Sequence, residues 1–329
     1  MMNLVEHQLN KLPGLSSLPD DITLPGLAEP NDYVPARDRN CVFPLDTVRV
    51  LAGFFTKQRP GGLLVTGPTG SGKSYLTRQF HAWLNRPMFY ATGYEESELD
   101  DLYGSREIFD GDTITIPGPL MQAVEMAVQG MATFLYEEID RAKTGTSVGL
   151  NPILDGHPIV SPLEGGRRIN QPPGFKIIAT SNTAGYGDVT GDYNSAKVMD
   201  SSVLRRFWCY QHWYVDPDTE FNILRQAVDS QYEDENLRKS IAFANDVRYL
   251  HAGRDHEASQ SAQADQGRNA IHTTISTDTL LEFWHVMEIF SGVPNPIEHA
   301  LRLVVTNKCT PECAETIHRL ADAQFAGDV

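Results

Sequence analysis

The residues with the clearest chemical signature form one run, Gly67-Pro-Thr-Gly-Ser-Gly-Lys73-Ser74, which fits the pattern GxxxxGK[ST]. Glycines allow successive backbone N–H groups to turn toward phosphate oxygens, and a helix N-terminus behind them adds positive charge. The Lys73 ammonium can neutralise phosphate charge, and the Ser74 hydroxyl can ligate Mg²⁺. The sequence therefore predicts a site for a nucleoside triphosphate and Mg²⁺. The residues predicted to bind the nucleotide are Gly67, Pro68, Thr69, Gly70, Ser71, Gly72, Lys73, Ser74 and Tyr75.

Two further polar groups follow apolar runs. FLYEEID (134–140) is an apolar run that ends in carboxylates, which can place a metal ion and activate a water molecule. We expect Glu137 to act at the metal through bound water, and Glu138 to orient and deprotonate the attacking water. An acidic surface loop is the alternative interpretation. The run IIATSN (177–182) ends in Asn182, whose amide suits a hydrogen bond to a terminal phosphate or to the attacking water, or serves only as a turn former.

Short apolar runs that alternate with amphipathic stretches must position these residues. The apolar runs predict strands, and their alternation with helices predicts a mostly parallel sheet covered on both faces. A helix is predicted after Pro44 and another over 73–84, directly behind the glycine-rich run. The pattern is typical of an α/β fold. The predicted strands are 63–66, 88–91, 133–138, 175–181 and 208–215.

The chain is predicted to have three parts. Residues 1–43 are rich in Pro, Asp and Asn and have little periodicity, which predicts an extended arm that wraps the body or a neighbour, or a tail that is ordered only on contact. An α/β nucleotide-binding domain follows over 44–216, and a smaller, mainly helical domain over 217–329. Within the last part, 251–270 contains almost no large apolar residue and predicts a flexible loop.

The overall charge narrows the range of partners. The 329 residues include 43 acidic and 27 basic side chains, for a formal net charge of −16. Because such a chain repels phosphate backbones at long range, we expect neither nucleic acid nor an anionic membrane as a partner. The sequence has no run of about 18 apolar residues and no signal-peptide pattern at its start. We therefore expect a soluble, cytoplasmic protein.

Taken in this order, the motifs resemble those of the AAA+ ATPases. More narrowly, they are similar to the MoxR and dynein-related branch, which includes the CobS-like ATPase subunit of aerobic cobaltochelatase. ATSNTAGYGDVTGDY (179–193) and LRRFW (204–208) contribute to this resemblance. The resemblance implies a P-loop NTPase domain with a helical lid, a Walker A motif at 67–74, a Walker B motif at 134–138 and sensor 1 at Asn182.

The same resemblance implies features beyond one subunit. It places an arginine finger at Arg206, beside Arg205, which would reach the phosphate bound by a neighbouring subunit. Such a finger requires a homo-oligomer, and a hexameric ring is usual in this family. Two arginines on a solvated face are the alternative interpretation. ATP and Mg²⁺, a partner with a von Willebrand factor A domain, and a hairpin insert around Ile108–Thr115 are also implied, with Asp110-Gly111 at the hairpin turn.

Two residues depart from the pattern of the family. Glu137 stands where the family has Asp, and its extra methylene moves the carboxylate about 1.5 Å further along. Water-bridged Mg²⁺ can absorb that change, but hydrolysis could be slowed. Asp278 stands where the family has the Arg of a second sensor, and opposite charge cannot do that work at a phosphate. Arg302 is a candidate substitute.

Three functions remain open at this stage. The favoured one is a ring-forming ATPase that remodels or activates a protein partner. An ATP-binding switch or scaffold with little hydrolysis is motivated by Glu137 and Asp278. The ATPase subunit of a cobalt or magnesium chelatase-like complex is supported by the resemblance alone. A DNA-processing motor is disfavoured by the net charge of −16.

Overall fold

The computed structural model describes residues 2–187, 196–251 and 271–325. The flexible loop predicted over 251–270 lies outside these residues except at its first position. Residues 188–193, the second part of the run that carried the family resemblance, also lie outside them.

Strands and helices alternate along the first two thirds of the chain, and the elements described beyond residue 216 are helices. The strands are β1 (Leu4–Gln8), β2 (Thr23–Leu27), β3 (Gly62–Thr66), β4 (Met88–Thr92), β5 (Gly104–Phe109), β6 (Asp112–Pro117), β7 (Ala132–Glu137), β8 (Ile159–Ser161), β9 (Arg167–Ile169), β10 (Phe175–Ser181) and β11 (Phe207–Gln211). The helices are α1 (Leu45–Thr56), α2 (Lys73–Trp83), α3 (Leu99–Tyr103), α4 (Pro119–Gln129), α5 (Thr144–Gly149), α6 (Asn151–Leu154), α7 (Ser201–Leu204), α8 (Pro217–Ala227), α9 (Asp234–His251), α10 (Thr277–Ile289), α11 (Pro296–Val304) and α12 (Pro311–Phe325).

The centre of the first part is a parallel sheet of five strands in the order β11-β3-β10-β7-β4. This arrangement confirms the predicted α/β fold. The register aligns the strand ends, because Thr66 of β3 lies opposite Ser181 of β10 and Glu137 of β7 lies opposite Thr92 of β4. Since parallel strands share one carboxyl edge, the glycine-rich loop, the acidic residues and Asn182 all follow strands at that edge.

Alternation along β7 explains why both sheet faces are covered. Phe134 and Tyr136 point to one face and pack in the same cluster as Val124 of α4. Leu135 points to the other face, in a cluster with Phe80 of α2. All of these side chains are fully buried. A strand buried on both faces has a nearly continuous apolar sequence, which is the pattern that predicted it.

The N-terminal arm contains an antiparallel pair, β1 with β2, which the aperiodic sequence did not predict. The arm contributes apolar side chains to the core, since Leu9 and Leu24 are buried. Gly26 of β2 is required by a close approach, because a Cβ at this position would lie 1.8 Å from the carbonyl oxygen of Leu84. The arm is therefore packed along the α/β domain as part of one compact unit.

The predicted insert is an antiparallel hairpin of β5 and β6. Its turn is made by Asp110 and Gly111, which have φ of 52° and 88°. Positive φ at both central residues is the requirement of a type I′ turn, and Asp-Gly meets it. Ile108 and Phe109 beside the turn are 81% and 70% exposed. The hairpin therefore ends in an uncovered apolar tip.

The chain divides into two compact units, Met1–Pro68 with Gly72–Trp213, and Thr69–Ser71 with Tyr214–Val329. The second unit is helical and has its own apolar core, built on α8 to α12. At its centre the Arg248 guanidinium forms a fully buried ion pair with Glu220, at 2.7 Å. No helix among the described residues is long and apolar enough to cross a membrane.

Candidate nucleotide site

The glycine-rich loop follows β3 and leads directly into α2. Gly67, Gly70 and Gly72 have φ of 150°, 73° and 92°. A residue with a Cβ is strained at such values, so glycine is the residue that permits this loop. The α-helix starts at once, with the N–H of Leu76 donating to the carbonyl of Gly72 at 2.8 Å. The first N–H groups of a helix have no partner within it, so the start of α2 suits a phosphate group.

The Lys73 side chain lies buried at the carboxyl edge of the sheet. Its ammonium donates to the carbonyl oxygens of Gly67 and Pro68, both at 2.8 Å, and to the Asn182 side-chain oxygen at 3.0 Å. None of these three acceptors carries a charge. Among the described residues, the ammonium therefore has no carboxylate within hydrogen-bond distance.

The surroundings of Lys73 disfavour its charge. Burial lowers the pKa of Lys73 from 10.5 to about 8, while attraction from the Asp140 and Glu138 carboxylates acts in the opposite direction. Anionic oxygens in contact with the ammonium would raise this pKa again. Phosphate oxygens in contact with the ammonium would thus stabilise its charged form.

Ser74 and Tyr75 continue the motif on the first turn of α2. Ser74 is partly exposed, and its hydroxyl lies on the turn that starts the helix. The Tyr75 hydroxyl donates to Oδ2 of Asp38 in the N-terminal arm, at 2.7 Å. The structure thus gives the Tyr75 side chain a partner in the arm.

Glu137 ends β7 with its carboxylate buried. Its Oε2 accepts a hydrogen bond from Nη2 of Arg78 at 2.6 Å, which makes a close ion pair. Arg78 lies on α2, one helical turn after Ser74, and its guanidinium stacks on the Tyr90 ring at 5.1 Å. Sequence reasoning missed this arginine. Its spacing of four residues from Ser74, which places both on one face of α2, is the signal that could have found it.

Glu138 follows in an unusual backbone conformation. Its φ of 52° and ψ of 43° lie in the left-handed region, which is strained for a residue with a side chain. The backbone N–H donates to the Thr180 hydroxyl at 3.1 Å, which ties this residue to β10. Its carboxylate pairs with Arg141 at 2.9 Å. Both acidic residues predicted for the site are therefore held by arginines.

The two candidate finger residues differ in their surroundings. Arg206 makes a two-pronged contact with Asp155, at 2.8 and 2.6 Å, and also donates to the Ser202 carbonyl. Arg205 is exposed, and its backbone N–H donates to the Ser201 carbonyl at 3.2 Å, but its guanidinium has no hydrogen bond to a described residue. The Asp155 pairing raises the pKa of Arg206 further, so its charge is secure.

The second unit contains the residues considered for a second sensor. Asp278 is exposed in the first turn of α10, where a carboxylate is favoured by the helix dipole. Arg302 of α11 pairs with Glu298 at 2.6 Å along its own helix. In the same unit, the Tyr214 hydroxyl lies 2.9 Å from the Thr69 carbonyl and donates to it.

In the five-stranded parallel sheet, the strand that comes first along the chain, β3, leads through GxxxxGK[ST] into the helix α2. This arrangement defines a P-loop NTPase fold. Residues 62–207 match the family model described as AAA domain (dynein-related subfamily). The chain therefore has an AAA domain of the dynein-related subfamily, and the predicted resemblance is confirmed.

Individual relatives extend the similarity over most of the chain. It is 24% identical over 321 residues to the aerobic cobaltochelatase subunit CobS of a Sinorhizobium species, covering 94% of this chain and 90% of that protein. It is 26% identical over 231 residues to protein NorQ of Paracoccus denitrificans, covering 70% and 77%. An uncharacterised protein of Staphylococcus haemolyticus is 26% identical over 255 residues, covering 76% and 85%. The chain is thus similar to CobS and NorQ well beyond the matched AAA domain.

Proposed function

We propose that this protein binds Mg²⁺–ATP at residues 67–74 and hydrolyses it within a ring of identical subunits. The observation that carries the proposal is the environment of Lys73, a buried ammonium with three neutral acceptors and a pKa lowered to about 8. A triphosphate supplies the negative charge that this ammonium lacks in its contacts. The Glu138 carboxylate, which follows β7 at the same sheet edge, is the group to activate water.

The donor set fits Mg²⁺, since hydroxyl and carboxylate oxygens are the ligands that this ion takes from proteins. Ser74 would ligate it directly and Glu137 through bound water, although Arg78 competes for one oxygen of Glu137. When bound, the ion would neutralise charge on the phosphate oxygens.

The remaining groups have separate roles in the proposed reaction. Glu138 takes the proton of the attacking water, and Asn182 holds that water or the terminal phosphate by a hydrogen bond. Arg206 approaches the phosphate of the neighbouring subunit after leaving Asp155, and Arg205 beside it is the second candidate for this role. Stabilisation of developing charge by such a finger is worth on the order of 10³–10⁵ in rate.

The test is ATP turnover measured together with assembly state by light scattering. Lys73→Ala, Glu138→Gln and Arg206→Ala are each expected to lower turnover by about a hundredfold or more. Arg49→Ala is the matched control and should leave turnover unchanged, because Arg49 is an exposed arginine on α1 whose only ion-pair partner within the described ranges is Asp46. Wild-type protein without turnover in any assembly state would contradict the proposal.

We further propose that hydrolysis remodels or activates a protein partner in the cytoplasm, and that the ring is a hexamer. One relative is by name a subunit of aerobic cobaltochelatase, which makes a chelatase-like complex one candidate setting. A partner with a von Willebrand factor A domain is the expectation from the family resemblance. Affinity capture with Glu138→Gln and ATP, compared with Lys73→Ala, should retain one stoichiometric companion only in the first case.

A switch with little hydrolysis is the second candidate. The observation in its favour is that Glu137 and Glu138 are both engaged by arginines, Arg78 and Arg141. This candidate requires ATP-dependent assembly with negligible turnover. Brisk hydrolysis by the purified ring would eliminate it.

A further inference from the structure

Asp140 is a buried carboxylate at the end of the acidic run, beside the residues proposed for hydrolysis. It follows Glu138 by two residues and is 2% exposed. Its Oδ2 lies 2.6 Å from the Ser181 hydroxyl and 3.1 Å from the Thr183 hydroxyl, both of which donate to it. These two residues flank Asn182 on either side. One carboxylate oxygen therefore holds the chain on both sides of the sensor residue.

The turn itself adds to this restraint. The backbone N–H of Thr183 donates to the Ser181 hydroxyl oxygen at 3.1 Å. The Ser181 hydroxyl also lies within hydrogen-bond distance of the Thr183 carbonyl oxygen. A hydroxyl has one proton, and a charged carboxylate is a stronger acceptor than a carbonyl, so Asp140 is the favoured acceptor for Ser181. The main-chain carbonyl of Asp140 also accepts from the N–H of Lys197 at 2.8 Å. Asp140 is thus fixed by main-chain contact as well as by its side chain.

The free-energy cost of burying the Asp140 carboxylate indicates that it does more than fill space in the core. Oδ1 of Asp140 is buried and makes no hydrogen bond to any described residue. A buried carboxylate with an unsatisfied oxygen is unfavourable unless a cation lies nearby. Among the attractions that act on Lys73, that from Asp140 is the largest. The Asp140 carboxylate therefore attracts the Lys73 ammonium by its charge. It also restrains Asn182, through hydrogen bonds from the Ser181 and Thr183 hydroxyls on either side.

We propose that Asp140 is a positioning residue, whose carboxylate clamps the Ser181 and Thr183 hydroxyls and thereby fixes the Asn182 amide beside the Lys73 ammonium. This inference rests on the proposed function for its role in hydrolysis, but the clamp itself does not. With the clamp intact, the Asn182 oxygen is held 3.0 Å from the ammonium. Misplacement of a positioning group by about 1 Å can cost about a hundredfold in rate.

The test is the double variant Ser181→Ala/Thr183→Val, which removes both donors and leaves the carboxylate in place. We expect kcat to fall by about tenfold while the Kd for ATP stays within about twofold, because the clamp positions a group rather than binding phosphate. Asp140→Asn keeps an acceptor oxygen for both hydroxyls but removes the charge that favours it over the Thr183 carbonyl, so its kcat should lie between those of the wild type and the double variant. Asp140→Ala should lose as much as the double variant.

Thr146→Val is the matched control. Thr146 is a buried threonine whose hydroxyl donates to the Ser97 carbonyl at 2.8 Å, a contact that includes no residue of the proposed machinery. Its loss should leave kcat unchanged even if the thermal midpoint falls. Equal kcat losses in the control and in the double variant would reduce the clamp to a general packing effect and overturn the proposal.

A readout without turnover separates this inference from the proposed function. In protein with ¹⁵N-labelled asparagine, the Asn182 side-chain NH₂ signals can be assigned by their absence in Asn182→Asp. We expect them to shift or broaden in Ser181→Ala/Thr183→Val and to stay in place in Thr146→Val. Unchanged signals in the double variant would overturn the clamp. If the wild type has no turnover but the signals respond, the clamp stands and the hydrolysis proposal fails.

Discussion

The ion pair between Arg78 and Glu137 makes a quantitative prediction about Mg²⁺. The guanidinium lies 2.6 Å from the carboxylate proposed for the metal, with side-chain exposures of 41% and 10%. A hydrogen bond to a charged group contributes about 1.5–3 kcal/mol when buried. Half-exposed pairs contribute less, because water screens them, so about 1 kcal/mol is the appropriate magnitude here. That energy corresponds to about a fivefold change in an equilibrium constant.

Arg78→Gln should therefore raise the Mg²⁺ affinity of the protein–ATP complex by about fivefold. Two effects have this sign, since the variant frees a carboxylate oxygen and removes a positive charge next to the ion. Arg78→Lys keeps the charge and should stay within about twofold of wild type. The assay is calorimetric titration of ATP at fixed Mg²⁺ concentrations and without metal, with Arg49→Gln as a remote control. An unchanged or weaker Mg²⁺ dependence in Arg78→Gln would refute the competition.

Three further predictions concern other charged groups. Asp155→Asn should raise turnover of the assembled ring about twofold, because Arg206 no longer has to leave a carboxylate; unchanged or lower turnover would contradict this. Arg248→Met should lower the free energy of unfolding in urea by about 3–5 kcal/mol, since the buried Glu220 carboxylate loses its counter-ion, and adding Glu220→Gln should restore part of it. The lowered pKa of Lys73 means that the native state binds fewer protons than the unfolded state between pH 8 and 10.5. The free energy of unfolding of the wild type should thus rise between pH 8 and 10.5 relative to that of Lys73→Met. Urea titrations at several pH values would measure this difference.

Contiguous patterns explain how much of the site could be predicted from sequence. The glycine-rich run is one segment with one backbone conformation, and the strand before it and the helix after it are readable from apolar periodicity. The placement of Glu137, Glu138 and Asn182 at one edge of the sheet could be predicted, because parallel strands place their carboxyl ends together. The five strands were predicted from their apolar runs, although β11 ends at Gln211 rather than at 215.

Side-chain pairings between distant segments could not be predicted in the same way. Arg78 and Glu137 are 59 residues apart, and Arg206 and Asp155 are 51 apart. Such contacts depend on the tertiary placement of two elements and on rotamers selected by packing, which a single sequence does not encode locally. The β1–β2 pair in the arm was missed for a related reason, because its packing against the domain replaces the periodicity that would have marked it.

The pairings together imply an order of events at the proposed site. Arg78, Arg141 and Arg206 each have a carboxylate partner within 3 Å. Lys73 differs, since its hydrogen bonds go to uncharged oxygens within the described residues. An incoming triphosphate therefore meets a cation that releases no carboxylate, whereas each arginine must exchange one anion for another. Nucleotide capture by Lys73 should thus precede release of the arginines.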